Sequence, residues 1–204
     1  NGHTRTICQI DNVEPHERHL TDKPFNRYYL HSVDGFVYMS EQVHSELRAY
    51  SDAPALFSPH PLFENFGERV ERSEACVRLG LDPANRYVLF FGLIRDYKGL
   101  DLLLDAWAQL RRAGRTEGRR LIVAGEFYTA REPYLNRIAD NGLQDEVLLH
   151  DRFIPDDDVK YYFSAADFVV QPYKTATQSG VTQIAYQFCV PMVVTKVGGL
   201  AEIV

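Results

Sequence analysis

Residues 87–104 read Tyr-Val-Leu-Phe-Phe-Gly-Leu-Ile-Arg-Asp-Tyr-Lys-Gly-Leu-Asp-Leu-Leu-Leu. The first five, Tyr87–Phe91, are apolar without alternation. A strand buried on both faces reads this way, and such strands belong to parallel sheets covered by helices. From Leu100 the period changes. Leu100, Leu103, Leu104, Trp107 and Leu110 recur at helix spacing and predict one apolar stripe. A strand, a loop with glycines at both ends and a helix make up the repeating unit of a doubly wound α/β sheet.

The rest of the chain keeps this rhythm. Strands are predicted at Thr6–Ile10, Phe36–Met39, Ala55–Ser58, Leu121–Ala124, Val147–Leu149, Phe168–Val170 and Met192–Val194. Val43, Leu47 and Tyr50 predict a helix capped by Ser40, and Val159, Tyr162, Phe163 and Ala166 a shorter stripe. The fold class expected is a Rossmann-like doubly wound parallel sheet. Ser58–Asn65 interrupts the pattern, with prolines at 59 and 61 that suit an extended linker. Domains are therefore expected at 1–62 and 63–204, the first too short to be a full domain.

Composition narrows the function classes. The 204 residues are 45% hydrophobic and 25% charged, as in ordinary globular proteins. A net charge of −6 argues against a basic nucleic-acid-binding surface. No apolar run reaches the roughly 18 residues of a membrane span. Cys8, Cys76 and Cys189 are far apart and odd in number, which fits neither a zinc knuckle nor a disulfide framework. A cytoplasmic setting is expected, with room for peripheral contact at the inner face of the membrane through the part outside this chain. The chain starts without Met and ends at Val204, inside an expected helix. It therefore reads as part of a longer protein, inactive alone.

Ligands of such sheets bind beyond the carboxyl ends of the strands, so chemistry is sought in those loops. Gly92–Gly99 carries Arg95 and Lys98 before a helix N-terminus, a combination suited to a diphosphate. Lys174–Gln183 is rich in small and hydroxyl residues, with Gly180 at a helix start, and offers a second anion cradle or simply a capped helix. Val197–Glu202 holds a Gly-Gly turn that fits either a close ligand or a tight connection. Asp156–Asp158 reads as the acidic first turn of a helix rather than a metal site. The spacings of His16, His19 and His31 match no zinc pattern. No G-x-G-x-x-G turn is present, which sets aside a dinucleotide-dependent dehydrogenase.

Taken together, three stretches resemble the group 1 (family 4) glycosyltransferases. They are Phe90–Asp101, then Gln178-Ser179-Gly180-Val181 followed by Pro191–Val194, and Gly198-Gly199-Leu200-Ala201-Glu202. The match covers about residues 66–204. Asp11–Glu17 is similar, more loosely, to a loop near the end of that family's acceptor domain. The resemblance implies the GT-B fold, in which two Rossmann-like domains face each other. It implies sugar transfer from a nucleoside-diphosphate sugar to a hydroxyl acceptor (a glycan, a lipid-linked or a small molecule), with retained configuration and no metal or other cofactor.

Residue roles follow from the same resemblance. Arg95 and Lys98 would neutralise the donor diphosphate, and His16 would stand with them in the catalytic set. Gly92, Gly125 and Glu126 would line the nucleotide cleft, and Ile154 would meet the nucleobase through its backbone. Gln178, Ser179, Gly180, Val181, Thr182 and Gln183 would form the distal phosphate loop. Many family members carry two glutamates around that loop, with seven residues between them. Aligned on Pro191, those positions hold Ala176 and Ile184, or Thr177 and Ala185 after a one-residue shift. Gln178 and Gln183 are the nearest polar substitutes. This departure keeps a non-catalytic nucleotide-sugar-binding paralogue open, and the shared GT-B architecture keeps a sugar-nucleotide epimerase open.

Overall fold

The computed structural model describes residues 4–14 and 22–202. The chain forms two units. The first takes the chain up to Pro61, together with Thr175–Ser179 and the segment from Lys196; the second takes Leu62–Lys174 and Gly180–Thr195.

In the first unit, β1 (Ile7–Ile10), β2 (Gly35–Tyr38) and β3 (Ala55–Phe57) form a parallel sheet in that order. Helices α1 (Asp22–His31) and α2 (Glu41–Leu47) connect them. Ser40 caps α2, its hydroxyl accepting from the Val43 N–H at 3.3 Å. Leu30, Phe36, Val43 and Leu47 lie at the centre of its core. The stripe predicted from Val43 to Tyr50 is cut short, because α2 ends at Leu47. Tyr50 packs on this core from the following turn, and its hydroxyl donates to Glu14 at 2.9 Å.

The second unit opens with α3 (Arg72–Leu79) and continues through β4 (Arg86–Phe91), α4 (Leu100–Arg112), β5 (Arg119–Ala124), α5 (Glu132–Asp140), β6 (Val147–His150), α6 (Asp156–Ala165), β7 (Phe168–Gln171), α7 (Gly180–Gln187) and β8 (Met192–Val194). All its strand pairs are parallel, in the order β6-β5-β4-β7-β8. Leu89, Leu121, Ile122, Val123 and Ala124 are wholly buried, so the unbroken apolar runs are indeed covered on both faces. One core layer gathers α3, α6 and α7 around Tyr162 and Phe163, and the other gathers α4 and α5 around Leu104 and Trp107.

Leu110 departs from the predicted stripe. It is 41% exposed, whereas Leu100, Leu103, Leu104 and Trp107 are buried. The last turn of α4 runs past the core, and there Arg111 turns to Glu146 at 3.4 Å. Helices α3 and α5 have no counterpart in the predicted stripes. They bury little (Ala75 and Cys76 in α3, Tyr134 in α5), which leaves a faint periodic signal. After Gly198 the chain forms a 3₁₀ turn, Gly198–Glu202. No helix among the described residues is long and apolar enough to cross a membrane.

The order of the sheet fixes where a ligand would sit. The chain steps outward from β4 through β5 to β6, then crosses back to β7 and β8 on the other side. The switch falls between β4 and β7, and the loops leaving their carboxyl ends flank a crevice.

Candidate functional site

Within the second unit, three positions at and beside the loop after β4 call for glycine through positive φ, two of them also through close backbone contact. Gly92 has φ 95° and donates its N–H to the Ala124 carbonyl at 2.9 Å. Gly125, at φ 145°, lies against Gly92, and a Cβ there would overlap the Gly92 carbonyl oxygen. Gly99, at φ 70°, is pressed in the same way onto the Pro172 carbonyl after β7. Ile94 and Phe127 form a parallel bridge, with the Ile94 N–H donating to the Glu126 carbonyl at 2.7 Å. Lys174 completes the frame. Its ammonium meets Asp96 at 2.9 Å and Asp101 at 3.0 Å, and its N–H donates to the Tyr97 carbonyl at 2.7 Å.

Lys174 thereby takes up the two carboxylates nearest in sequence to Lys98. The Lys98 side chain turns back over Gly92, where a Cβ would meet Lys98 Nζ at 3.2 Å and Val181 Cγ2 at 3.5 Å. The ammonium lies 5.8 Å from the centre of the Tyr173 ring. No carboxylate pairs with Lys98 among the described residues. Burial, and then the neighbouring Arg95 charge, push its pKa down to about 8. The Arg95 guanidinium stands 5.1 Å from the centre of the Tyr128 ring.

Helix α7 begins at Gly180, on the other side of the switch. The Phe63 ring packs on this glycine, with a built Cβ 3.2 Å from Cε2. Val181, Thr182 and Gln183 are buried. The Thr182 hydroxyl accepts from Gln171 Nε2 at 3.0 Å, so that side chain serves the sheet. What the turn offers a ligand is its main-chain N–H groups, which have no partner within a helix.

The remaining predicted site residues are placed as follows. Glu126 is half-buried at the end of β5, and Ile154 packs in the core while Phe153 is exposed. Gln178 and Ser179 belong to the first unit. In that unit the Thr177 hydroxyl donates to the Asn12 side-chain oxygen, and Gly198 and Gly199 press on the carbonyls of Ala176 and Thr177. The Gly-Gly turn is thus a tight connection. His16 lies outside the described residues. Asp156–Asp158 form the first turn of α6, as predicted, and Asp158 pairs with Arg78 at 3.2 Å.

The second unit thus brings Gly92, Arg95, Lys98, Gly125 and the start of α7 to one rim. Tyr128, Tyr173 and His150 stand at the same rim and escaped the sequence reading. They belong to no motif, and only their places at or just beyond strand ends could have marked them.

A family model described as glycosyl transferases, group 1, matches residues 85–204. The lipopolysaccharide core biosynthesis mannosyltransferase LpsB of Rhizobium meliloti (strain 1021) is 32% identical over 169 residues, covering 76% of this chain and 44% of that protein. A D-inositol 3-phosphate glycosyltransferase of Segniliparus rotundus is 36% identical over 134 residues, 64% of this chain and 29% of that protein. The chain therefore spans less than half the length of these relatives. Among solved structures, the Anabaena protein HepE in complex with UDP and glucose superposes with a TM-score of 0.79 at 19% identity, over 98% of this chain and 55% of that one. That similarity shows a shared GT-B fold.

Proposed function

The chain belongs to the group 1 glycosyltransferases, and on that premise we propose that its second unit binds the nucleoside-diphosphate sugar of a glycosyl-transfer enzyme. The sugar passes to a hydroxyl acceptor, with the anomeric configuration retained. The observation that carries this reading is the meeting of the Lys98 ammonium and the first turn of α7 over Gly92, at the sheet's switch point.

The chemistry follows from the charges. As the glycosidic bond breaks, negative charge grows on the β-phosphate of the departing nucleoside diphosphate. Preorganised positive charge at that point lowers the barrier. Arg95 and Lys98 supply it, and the N-terminus of α7 adds a partial charge. Two fixed cations do the work that a metal ion does elsewhere, which supports a metal-independent reaction.

A thermal-shift panel of nucleoside diphosphates, run with EDTA, tests the reading. UDP comes first because it occupies the HepE complex. A ligand that binds the native state raises the melting temperature. One preferred diphosphate is the expected result, and no shift with any of them would overturn the reading. With the intact protein, NMR of the product's anomeric proton reports the configuration. Donor binding without turnover would favour a non-catalytic nucleotide-sugar-binding protein, the reading that the missing glutamates keep open.

A further inference from the structure

The diphosphate reading leaves one half-buried titratable group at the rim unexplained. His150 ends β6, two strands from β4. Its carbonyl accepts from the Gly125 N–H at 3.1 Å, and Gly125 lies against Gly92. The strand ends at Gly92, Gly125 and His150 thus follow one another along the rim. At about 4.8 Å per strand they span roughly 10 Å. A nucleoside diphosphate whose phosphates sit at Lys98 has its nucleoside about that far away.

The surroundings of His150 engage one of its ring nitrogens. Nδ1 lies 2.8 Å from the hydroxyl of Tyr162, a wholly buried side chain of α6. This hydrogen bond engages one ring nitrogen, and the phenol can lend its proton to it. In a neutral ring whose Nδ1 accepts that proton, Nε2 carries the ring's hydrogen. Burial, and next the Arg152 charge, lower the His150 pKa, which favours the neutral ring. Nε2 has no hydrogen-bond partner among the described residues. A ring held through one nitrogen, with the other open at the rim where ligands of this fold bind, can meet a hydrogen-bonding group outside the chain.

We propose that the His150 imidazole reads the nucleoside half of the donor, its Nε2–H donating to a carbonyl or hydroxyl oxygen of the base or ribose, with Tyr162 as the positioning residue that fixes its tautomer. This rests on the nucleotide-sugar reading above and adds the group that discriminates among nucleosides.

Calorimetric titration of the chain with the preferred nucleoside diphosphate and with inorganic pyrophosphate tests both readings separately. One lost hydrogen bond corresponds to an affinity loss of about 3- to 10-fold. His150→Ala is expected to weaken the nucleoside diphosphate by that factor and to leave pyrophosphate within twofold. Tyr162→Phe is expected to act in the same direction by a smaller factor. Lys98→Ala is expected to weaken both ligands. His150→Gln, which keeps an N–H donor, is expected to recover part of the loss and serves if the alanine variant does not fold. Unchanged nucleoside-diphosphate affinity in the His150 variants overturns the proposal, as does an equal loss for pyrophosphate. Wild-type chain that binds neither ligand overturns the nucleotide reading and this proposal with it.

Discussion

The two ends of the second unit's sheet treat positive charge in opposite ways. At the amino end, Asp167 pairs with Arg72 at 3.4 Å and Arg86 at 3.1 Å, and it also accepts the Tyr87 N–H at 2.7 Å. Arg72 spends its remaining donors on the carbonyls of Ala165 and Asn85. At the carboxyl end, Lys98 is half-buried yet pairs with no carboxylate among the described residues, while Lys174 holds Asp96 and Asp101. Charges at the amino end close a network that ties α3, β4 and β7 together. The ammonium at the other end has no such network, and under the proposed function it meets the diphosphate of the donor. A buried charge without a partner costs stability, and an anionic ligand offsets that cost when it binds.

Removing the unsatisfied charge is the sharpest way to break this contrast. Lys98→Ala, and likewise Arg95→Ala, is expected to cost about 2–4 kcal/mol of transition-state stabilisation, or roughly 30- to 1,000-fold in transfer by the intact protein. The melting temperature of Lys98→Ala without ligand should stay level or rise. A normal transfer rate, or a clear loss of thermal stability, would place Lys98 among the structural charges.

Titration probes the same asymmetry. The folded pKa of Lys98, about 8, lies below the ordinary lysine value of about 10.4. Between these values the unfolded chain binds more protons than the folded one, so this group makes stability rise with pH from about 8 to 10. A diphosphate needs the protonated form, so its affinity should fall over the same interval. Melting curves and titrations across that range test both signs. In Lys98→Met the contribution to stability and the loss of affinity should both disappear.

The amino end should answer the other way. Asp167→Ala strands the Tyr87 N–H and two guanidinium partners. The pairs are partly exposed, so most of the loss is the main-chain bond and the Arg72 contact, about 1–3 kcal/mol of folding stability. Nucleoside-diphosphate affinity should not change. Denaturant unfolding and calorimetry on one preparation would show whether the two ends are as separate as the charges suggest.

How far the sequence discloses this arrangement depends on burial. Val88–Phe91 and Leu121–Ala124 read directly as strands because both of their faces are covered, and Leu100–Trp107 read as helix because it buries a whole stripe. Helices α3 and α5 bury one or two side chains each, too few to set a period. At the site, Arg95 and Lys98 stand out through the glycine-flanked loop and the family resemblance. Nothing local reveals that Lys174 takes both carboxylates, since Asp96 and Lys174 are 78 positions apart and only the neighbouring loops bring them together. The pairing of His150 with Tyr162 is hidden for the same reason, being a contact between a strand end and the helix that follows.

The smallest effect is expected where pattern and packing part company. Leu110 continues the α4 stripe in sequence, yet 41% of it meets solvent, because the helix has passed the core by that turn. Leu110→Gln trades an apolar surface group for a polar one with comparable helix propensity, so stability should move by no more than about 0.5 kcal/mol. Chemical denaturation resolves a change of that size when the two chains are compared side by side. A loss several times larger would mean that Leu110 shares the core with Trp107, and that the last turn of α4 belongs to the buried layer, as its spacing in the sequence suggests.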